Sequence, residues 1–385
     1  MLPETFQLKI ASHRQILNTI RLKSEISGAE LARVNNLQPS TLVYILRSLH
    51  ERGLIEVSRV SAQLGTAGKP PTLWRLAPDM GFIVGLEIIQ NEVRATVVNF
   101  GGDIVHQEHK VGLENIGPEQ LALSIKSFYN ELLEHLSLDT NKIIGVGVAL
   151  TGLVDREKGL VHYSRKLQLR DYSIEKKLHD LLQLPVEAVN DANAGALGIK
   201  WHDSSVAASR KSVIFLTLNE KTAYFGSGLI LNENLYEGAQ GAAGEINAQI
   251  PSLDELVQSG RDKYGEEQPI IQLLNEKHSI GIDDVILLAR QHCPISRDVL
   301  LHYTQFIVHE IVRIVSLLNP EVIVLGGDIS DARDLISDEI VQSVKFRLKE
   351  IFPGGIASPV IQFSKFGAYS VSVGATALIM RKIFQ

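Results

Sequence analysis

The sequence predicts an α/β protein with a small three-helix head and a larger two-lobed body. Apolar residues at helical spacing dominate the first fifty positions. Two short strand-like segments around a Gly/Pro loop follow them. From residue 82 onward, strand-like and helical segments alternate in two series, each opening with consecutive strands. Two such series indicate two α/β lobes around a cleft.

The head has the spacing of a helix-turn-helix. A first helix is predicted from about Ser12 to Leu22. Ser27 stands three residues before Glu30, which predicts a capping box and a second helix directly after it. Pro39 suits the first turn of a third helix, because its missing N–H costs nothing there. Gly53 is expected to end that helix in the left-handed conformation.

A wing is predicted after the third helix. The segments Leu54–Val57 and Thr72–Leu76 are strand-like and flank the loop Gly65–Pro71, which carries Lys69 at its tip. A narrow basic loop suits a DNA minor groove, whose negative potential attracts Lys and Arg. The charge distribution also favours DNA binding by the head. Residues 1–80 carry a net charge of +4 while the whole chain carries −6, which leaves −10 for the rest. The head therefore concentrates the affinity for phosphate.

The third helix supplies the predicted contacts with double-stranded DNA. Its apolar positions are buried, and it exposes Ser40, Thr41, Tyr44 and Arg47. In a helix-turn-helix these positions meet base edges and phosphates, so they are assigned, with Lys69, to DNA binding. The alternative is a trihelical bundle with a solvated polar face, and the wing favours DNA. One head reads few base pairs, which predicts a homodimer or a dimer of dimers.

Composition excludes several classes of protein. The chain has no run of 18 uncharged apolar residues and no apolar signal-peptide core at its N-terminus, so no membrane partner is expected. Cys293 is the single cysteine, which excludes intramolecular disulfides and thiolate-rich zinc sites. The histidines show no convincing ligand spacing. These features predict a cytoplasmic protein with no bound metal and no cofactor.

Four segments of the body, in order, resemble the ROK family, named for repressors, open reading frames and kinases. They are Gly145–Asp155, Val189–Gly198, Gly238–Ile246 and Asn319–Asp328. The resemblance covers essentially the whole chain, including a winged head typical of the repressor branch. It implies a two-lobed actin-like ATPase (ribonuclease H-like) fold. The expected domains are a winged helix-turn-helix at 1–77, a first lobe at 78–195 completed by 371–385, and a second lobe at 196–370.

The resemblance also implies a sugar site. Asp191 follows a strand and opens a helix, matching the catalytic base of the family's kinases, and Asn190 matches a sugar hydrogen-bonding position. Glu245 matches the Glu that holds sugar hydroxyls, and Gly152 lies in the loop before the sugar. Asp254 stands where a sugar-binding Glu is usual, with a shorter reach. The alternatives are that Asp191 only caps its helix and that Glu245 is a solvated loop residue.

Departures from the family pattern argue against an enzyme. Family kinases begin the body with Asp-x-Gly-Gly-Thr, whose glycines let backbone amides approach phosphate. Here Glu87–Asn91 contains no glycine, and the second phosphate segment, Lys221–Gly228, keeps only its later glycines. The family's zinc ligands are missing too: no His follows Gly244-Glu245, and Ser252–Asp254 contains no cysteine. Neither productive ATP binding nor a structural zinc is therefore expected.

The sequence thus predicts a sugar-responsive transcriptional regulator. It would repress carbohydrate-utilisation genes and leave operator DNA when a monosaccharide or sugar phosphate binds. Two alternatives remain open. One is an ATP-dependent sugar kinase with a DNA-binding head, which the altered phosphate segments disfavour. The other is a repressor controlled by a protein partner, which nothing in the sequence separates from the first reading.

Overall fold

The structure is a computed structural model that describes residues 2–60, 72–113, 117–203, 210–219 and 224–385. The chain divides into two compact units. The first unit contains Met1–Asn190 together with Ser372–Gln385, and the second contains Asp191–Val371. The head therefore groups with the first α/β region and with the end of the chain.

The head has the predicted winged helix-turn-helix arrangement. Its elements are α1 (Ala11–Lys23), β1 (Ile26–Ser27), α2 (Gly28–Val34), α3 (Pro39–Glu51), β2 (Ile55–Val60) and β3 (Thr72–Leu76). The side chain of Ser27 accepts a hydrogen bond from the Glu30 backbone N–H, which is one half of the predicted capping box. Gly53 follows α3 with a φ of 73°, as expected. The strands form an antiparallel sheet in the order β1-β3-β2. The loop Gly65–Pro71, with Lys69, lies outside the described residues.

The first α/β region follows the head. Its elements are β4 (Phe82–Ile89), β5 (Glu92–Asn99), β6 (Ile104–Val111), α4 (Pro118–Leu136), β7 (Ile143–Leu150), β8 (Leu153–Asp155), β9 (Leu160–Ser164), β10 (Leu169–Tyr172), α5 (Ile174–Leu182) and β11 (Val186–Asn190). A five-stranded sheet has the order β11-β7-β4-β5-β6. The strands β11, β7 and β4 are parallel, so their carboxyl ends lie at one edge. The small antiparallel sheet β8-β9-β10 was not anticipated from the sequence.

The second unit repeats the α/β arrangement with more helices. Its elements are α6 (Asp191–His202), β12 (Val213–Asn219), β13 (Tyr224–Leu231), β14 (Asn234–Leu235), β15 (Glu245–Gln249), α7 (Leu253–Tyr264), α8 (Pro269–Lys277), α9 (Ile282–Arg290), α10 (Pro294–Leu318), β16 (Val322–Gly326), α11 (Arg333–Ile351) and β17 (Val360–Phe363). The sheet order is β14-β13-β12-β16-β17, and β15 pairs with β13. Its largest core cluster joins the sheet to helices α7 to α11.

The last helix, α12 (Ser370–Phe384), places its C-terminal end near the head. The Thr96 hydroxyl of β5 bonds with the Ser372 hydroxyl at 2.8 Å, within the first unit. At the other end, the Phe384 ring stacks on Phe100 with centroids 5.7 Å apart. Phe6 packs on the same Phe100 ring at 5.2 Å. These aromatic contacts attach the N-terminal segment of the head to the rest of the unit.

Candidate functional site

Two of the predicted sugar-site residues meet within the first unit. Asn190 ends β11 and is buried, and Gly152 lies two residues after the end of the neighbouring strand β7. The Asn190 Nδ2 atom donates to the Gly152 carbonyl oxygen at 3.1 Å. Gly152 has a φ of 122°, and a Cβ there would lie 2.3 Å from the Tyr163 carbonyl oxygen. The loop after β7 therefore requires glycine, and it fixes the orientation of the Asn190 amide.

Two further predicted residues meet within the second unit. Asp191 opens α6, and Glu245 opens β15, where it pairs with Gly226 of β13. A Cβ at Gly226 would lie 3.2 Å from the Ala192 Cβ, so this strand passes close to the start of α6. That close approach brings the two carboxyl groups within electrostatic range of one another.

The pKa of Glu245 in this pair is unusual. Surrounding protein atoms, and then the neighbouring Asp191 carboxylate, raise the pKa of Glu245 to about 7. Glu245 is exposed to solvent, so a ligand can reach it. Asp191 also accepts a hydrogen bond from the adjacent Ala192 N–H at 2.8 Å.

Carboxyl groups of this kind suit a ligand rich in hydroxyl groups. An ionised carboxylate accepts hydrogen bonds at both oxygens, and a protonated one also donates. A carboxyl group with a pKa near 7 changes between these states around neutral pH. Perturbed carboxyl groups of this kind mark candidate binding sites.

Asp254 has a structural contact of its own. It lies in the first turn of α7, and its Oδ1 atom accepts from the Ile280 backbone N–H at 2.8 Å. One oxygen therefore holds the segment that precedes α9. Its assignment to the sugar site remains a prediction.

The hairpin that joins β4 to β5 contains Glu87–Asn91, the segment that the sequence analysis matched to the family's first phosphate loop. Glu87 and Arg94 face each other across the two strands, are both buried, and approach to 4.0 Å between Oε2 and Nη1. Gln90 stands at the turn with a φ of 35°. Sequence reasoning identified Glu87 but missed Arg94, and a charged residue near the start of a strand gives no specific signal of such a partner. The residues Lys221–Ala223 of the second phosphate segment lie outside the described residues.

On the head, the four predicted DNA contacts of α3 are all exposed. Ser40 and Thr41 lie in its first turn. The Arg47 Nε atom lies 2.8 Å from Glu51 Oε1 one turn later, and this hydrogen bond raises the pKa of Arg47. The Tyr44 ring packs edge-on against His13, with centroids 6.3 Å apart. The helix thus presents hydroxyl, phenol and guanidinium groups on one exposed surface.

Two further properties concern the described part of the chain. Within it, no group of three or more His, Cys, Asp or Glu residues has an arrangement that could hold a metal ion. None of its helices combines the length and the apolar character needed to cross a membrane.

Comparison with known families defines the class of protein. The ROK family model matches residues 83–382, and a winged helix DNA-binding domain model matches residues 11–62. The chain therefore belongs to the ROK family and carries a winged helix head. This confirms the predicted family and the fold class of winged helix plus sugar-kinase-like α/β body.

Some similar proteins match nearly the whole chain, and others match a smaller share of it. A xylose repressor of Caldicellulosiruptor bescii is 22% identical over 396 residues, covering 97% of this chain and 96% of that protein. The crystal structure of a ROK family transcriptional regulator, a homolog of the E. coli MLC protein, has a TM-score of 0.72 at 20% identity, covering 97% of this chain and 96% of that one. A ROK family glucokinase from Streptomyces griseus has a TM-score of 0.66 at 21% identity. It covers 78% of this chain and 100% of its own.

Proposed function

We propose that this protein is a sugar-responsive transcriptional repressor, which leaves operator DNA when a monosaccharide or sugar phosphate binds its body. The single observation that carries the proposal is the union of a winged helix head and a ROK body in one chain. The similarity to a xylose repressor extends along 97% of the chain. The similarity to the glucokinase covers 78% of it. Repression of carbohydrate-utilisation genes is the corresponding role.

The DNA half of the proposal rests on α3. Its exposed Ser40 and Thr41 hydroxyls can donate to or accept from base edges, and Arg47 can bind guanine or phosphate. The hydrogen bond from Arg47 to Glu51 lies at the surface, where such ion pairs stabilise a protein little. Arg47 can therefore exchange Glu51 for DNA at low cost.

We infer that two copies bind a two-fold pseudo-palindromic operator, with half-sites one helical turn apart or a multiple of it. The exposed apolar side chains of α10 and α11 support a surface for the second copy. Leu317, Phe346 and Ile351 are 81%, 64% and 50% exposed. Analytical ultracentrifugation of the full chain measures the oligomeric state directly. A monomer at micromolar concentration would contradict the proposed dimer.

The effector half rests on Asn190, Asp191, Glu245 and Gly152. Their amide and carboxyl groups can bond the hydroxyls of a monosaccharide, and the Gly152 carbonyl orients the Asn190 amide. Asp254 is retained as a candidate contact. The carboxyl pair recognises hydroxyl groups in general, which every aldose has, so the proposal concerns the class of ligand.

We infer that the chain does not transfer phosphate. Phosphoryl transfer depends on positioning and on stabilisation of phosphate charge. The β4–β5 hairpin has no glycine at Glu87–Asn91, so side chains occupy the space that a phosphate would need there. Sugar-dependent ADP release should equal that of a buffer control. Release well above the control, abolished by Asp191→Ala, would establish a kinase instead.

The sugar must bind the released conformation more tightly than the DNA-bound conformation, because equal affinity for both shifts nothing. Moving the population from mostly bound to mostly released needs roughly 5 kcal/mol of differential binding. A thermal-shift screen of sugars and sugar phosphates identifies ligands, and each one is then tested for release of operator DNA. Release that needs a partner protein and no sugar would favour the alternative control by a protein.

A further inference from the structure

The recognition surface of α3 contains an apolar side chain that the DNA-contact assignment does not use. Among the described residues of the head, Tyr44 and Val43 are the most exposed large apolar side chains, at 67% and 65%. The next is Ile10, at 54%. Tyr44 and Val43 both lie on α3, the helix that we assign to the major groove.

Val43 lies on the same exposed face as the proposed DNA contacts. It is three residues after Ser40 and four before Arg47, and residues at these spacings are neighbours on a helix surface. The apolar side chains that anchor α3, including Leu42 and Ile45, are buried on the other face. Tyr44 differs from Val43, because its ring packs edge-on against His13 of α1.

An exposed valine on a helix has a cost. β-branched residues have lower helix propensity than unbranched ones, because they lose χ1 freedom against the preceding turn. Burial in a core would offset that cost, but Val43 is 65% exposed. The same stiffness leaves one strongly preferred rotamer in a helix, so docking Val43 against a partner loses little further entropy. The benefit of valine at this position is therefore expected in a complex.

Charge identifies the partner as DNA. Along the helix, Val43 stands between Ser40 one turn before it and Arg47 one turn after it, and both are exposed. The head carries a net charge of +4 over residues 1–80. In the major groove, the apolar group that a base pair presents is the C5-methyl group of thymine. The exposed isopropyl group of Val43, with polar neighbours one turn away on either side, matches that target.

We propose that Val43 contacts the C5-methyl group of a thymine in the major groove, and so sets a preference for thymine at one position of each half-site. The inference rests on the proposed DNA-binding function and adds a specificity-determining residue to it.

The test uses duplexes selected from a random pool by the full-length wild-type chain. Each thymine is replaced singly by deoxyuridine, which removes the methyl group and keeps the hydrogen-bonding edge. For one thymine per half-site, the replacement should weaken wild-type binding by about three- to ten-fold. Val43→Ala should weaken binding to the thymine duplex by a similar factor and respond no further to deoxyuridine at that position. Such non-additivity in a double-mutant cycle indicates direct contact.

Two further variants complete the design. Val43→Thr keeps one methyl group and the side-chain volume, so it should retain part of the thymine preference. Val111→Ala removes a comparably exposed valine, 57% exposed on β6, and should keep the full wild-type response.

Three results would overturn the Val43 assignment while leaving the proposed function standing. They are wild-type binding that ignores every methyl group, Val43→Ala binding equal to wild type, and purely additive effects of the two changes. Failure of the wild-type chain to select any sequence would contradict both the assignment and the proposed function.

Discussion

The raised pKa of Glu245 makes sugar binding dependent on pH. The pKa of Glu245 is about 7, because the surrounding protein and the Asp191 charge both disfavour ionisation. If the sugar hydroxyls donate to an ionised Glu245, only the ionised fraction of the protein binds well, since charge-assisted hydrogen bonds are the stronger ones. That fraction is roughly one tenth at pH 6 and about nine tenths at pH 8. Affinity should therefore rise about ten-fold between pH 6 and pH 8.

Isothermal titration calorimetry of the sugar found by thermal shift measures this dependence. The ten-fold change corresponds to about 1.4 kcal/mol of binding free energy. Glu245→Gln is the matched control, because it keeps an acceptor oxygen and cannot ionise. Its affinity should be lower at pH 8 and independent of pH between 6 and 8.

The electrostatic cause can be tested without sugar. Asp191→Asn removes the nearby negative charge, so it should lower the pKa of Glu245, measured by carboxyl NMR titration. The pKa should remain above the usual value of a glutamate, because loss of hydration is the larger cause of the shift. A wild-type sugar affinity that is flat or falls from pH 6 to pH 8 would refute the reasoning.

Three further predictions concern the rest of the chain. Arg47→Ala should weaken operator binding by about 1–3 kcal/mol if the guanidinium reads a base, and an unchanged affinity by fluorescence anisotropy would contradict this. Gly195→Ala should lower the melting temperature, because its Cβ would lie 2.0 Å from the Phe215 ring, whereas Gly354→Ala, with nothing within 4 Å, should not; equal melting temperatures would refute the packing argument. Burial raises the pKa of Glu175 to about 7, so the contribution of Glu175 to stability should fall as pH rises from about 4.5 to 7. Glu175→Gln should be more stable than wild type by about 1–3 kcal/mol at pH 8 and not at pH 5, measured by urea unfolding, and equal gains at both pH values would count against that origin.

The head was predictable because its signals are local. The capping residue Ser27, Pro39 at the start of α3 and Gly53 after its end each act on their own backbone, and each has the expected role. The buried strand Ile143–Leu150 is also marked by its sequence, which is apolar throughout and rich in β-branched residues. Features that depend only on residues close in sequence can be predicted without tertiary information.

Other features depend on distant residues. The sheet β8-β9-β10 is built from short strands with no clear periodicity. In β10 the paired residues Arg170 and Tyr172 flank Asp171, which is in the left-handed region at a φ of 45°. Asp254 was assigned to the sugar site from a matching position, yet its carboxylate bonds the Ile280 backbone N–H, 26 residues later. The pair of Glu87 and Arg94 likewise depends on hairpin register. Such contacts are visible only in three dimensions.

The most direct test of the proposed function is operator release by Asp191→Ala protein. Fluorescence anisotropy on a selected operator gives the affinity of the full-length chain, and sugar is then titrated into the complex. Wild-type protein should leave the DNA as sugar is added. The Asp191→Ala variant should bind the operator with wild-type affinity and remain bound, because Asp191 lies outside the head and the proposed sugar contact is lost. If the variant leaves the operator at the same sugar concentration as wild type, the assignment of the effector site is wrong.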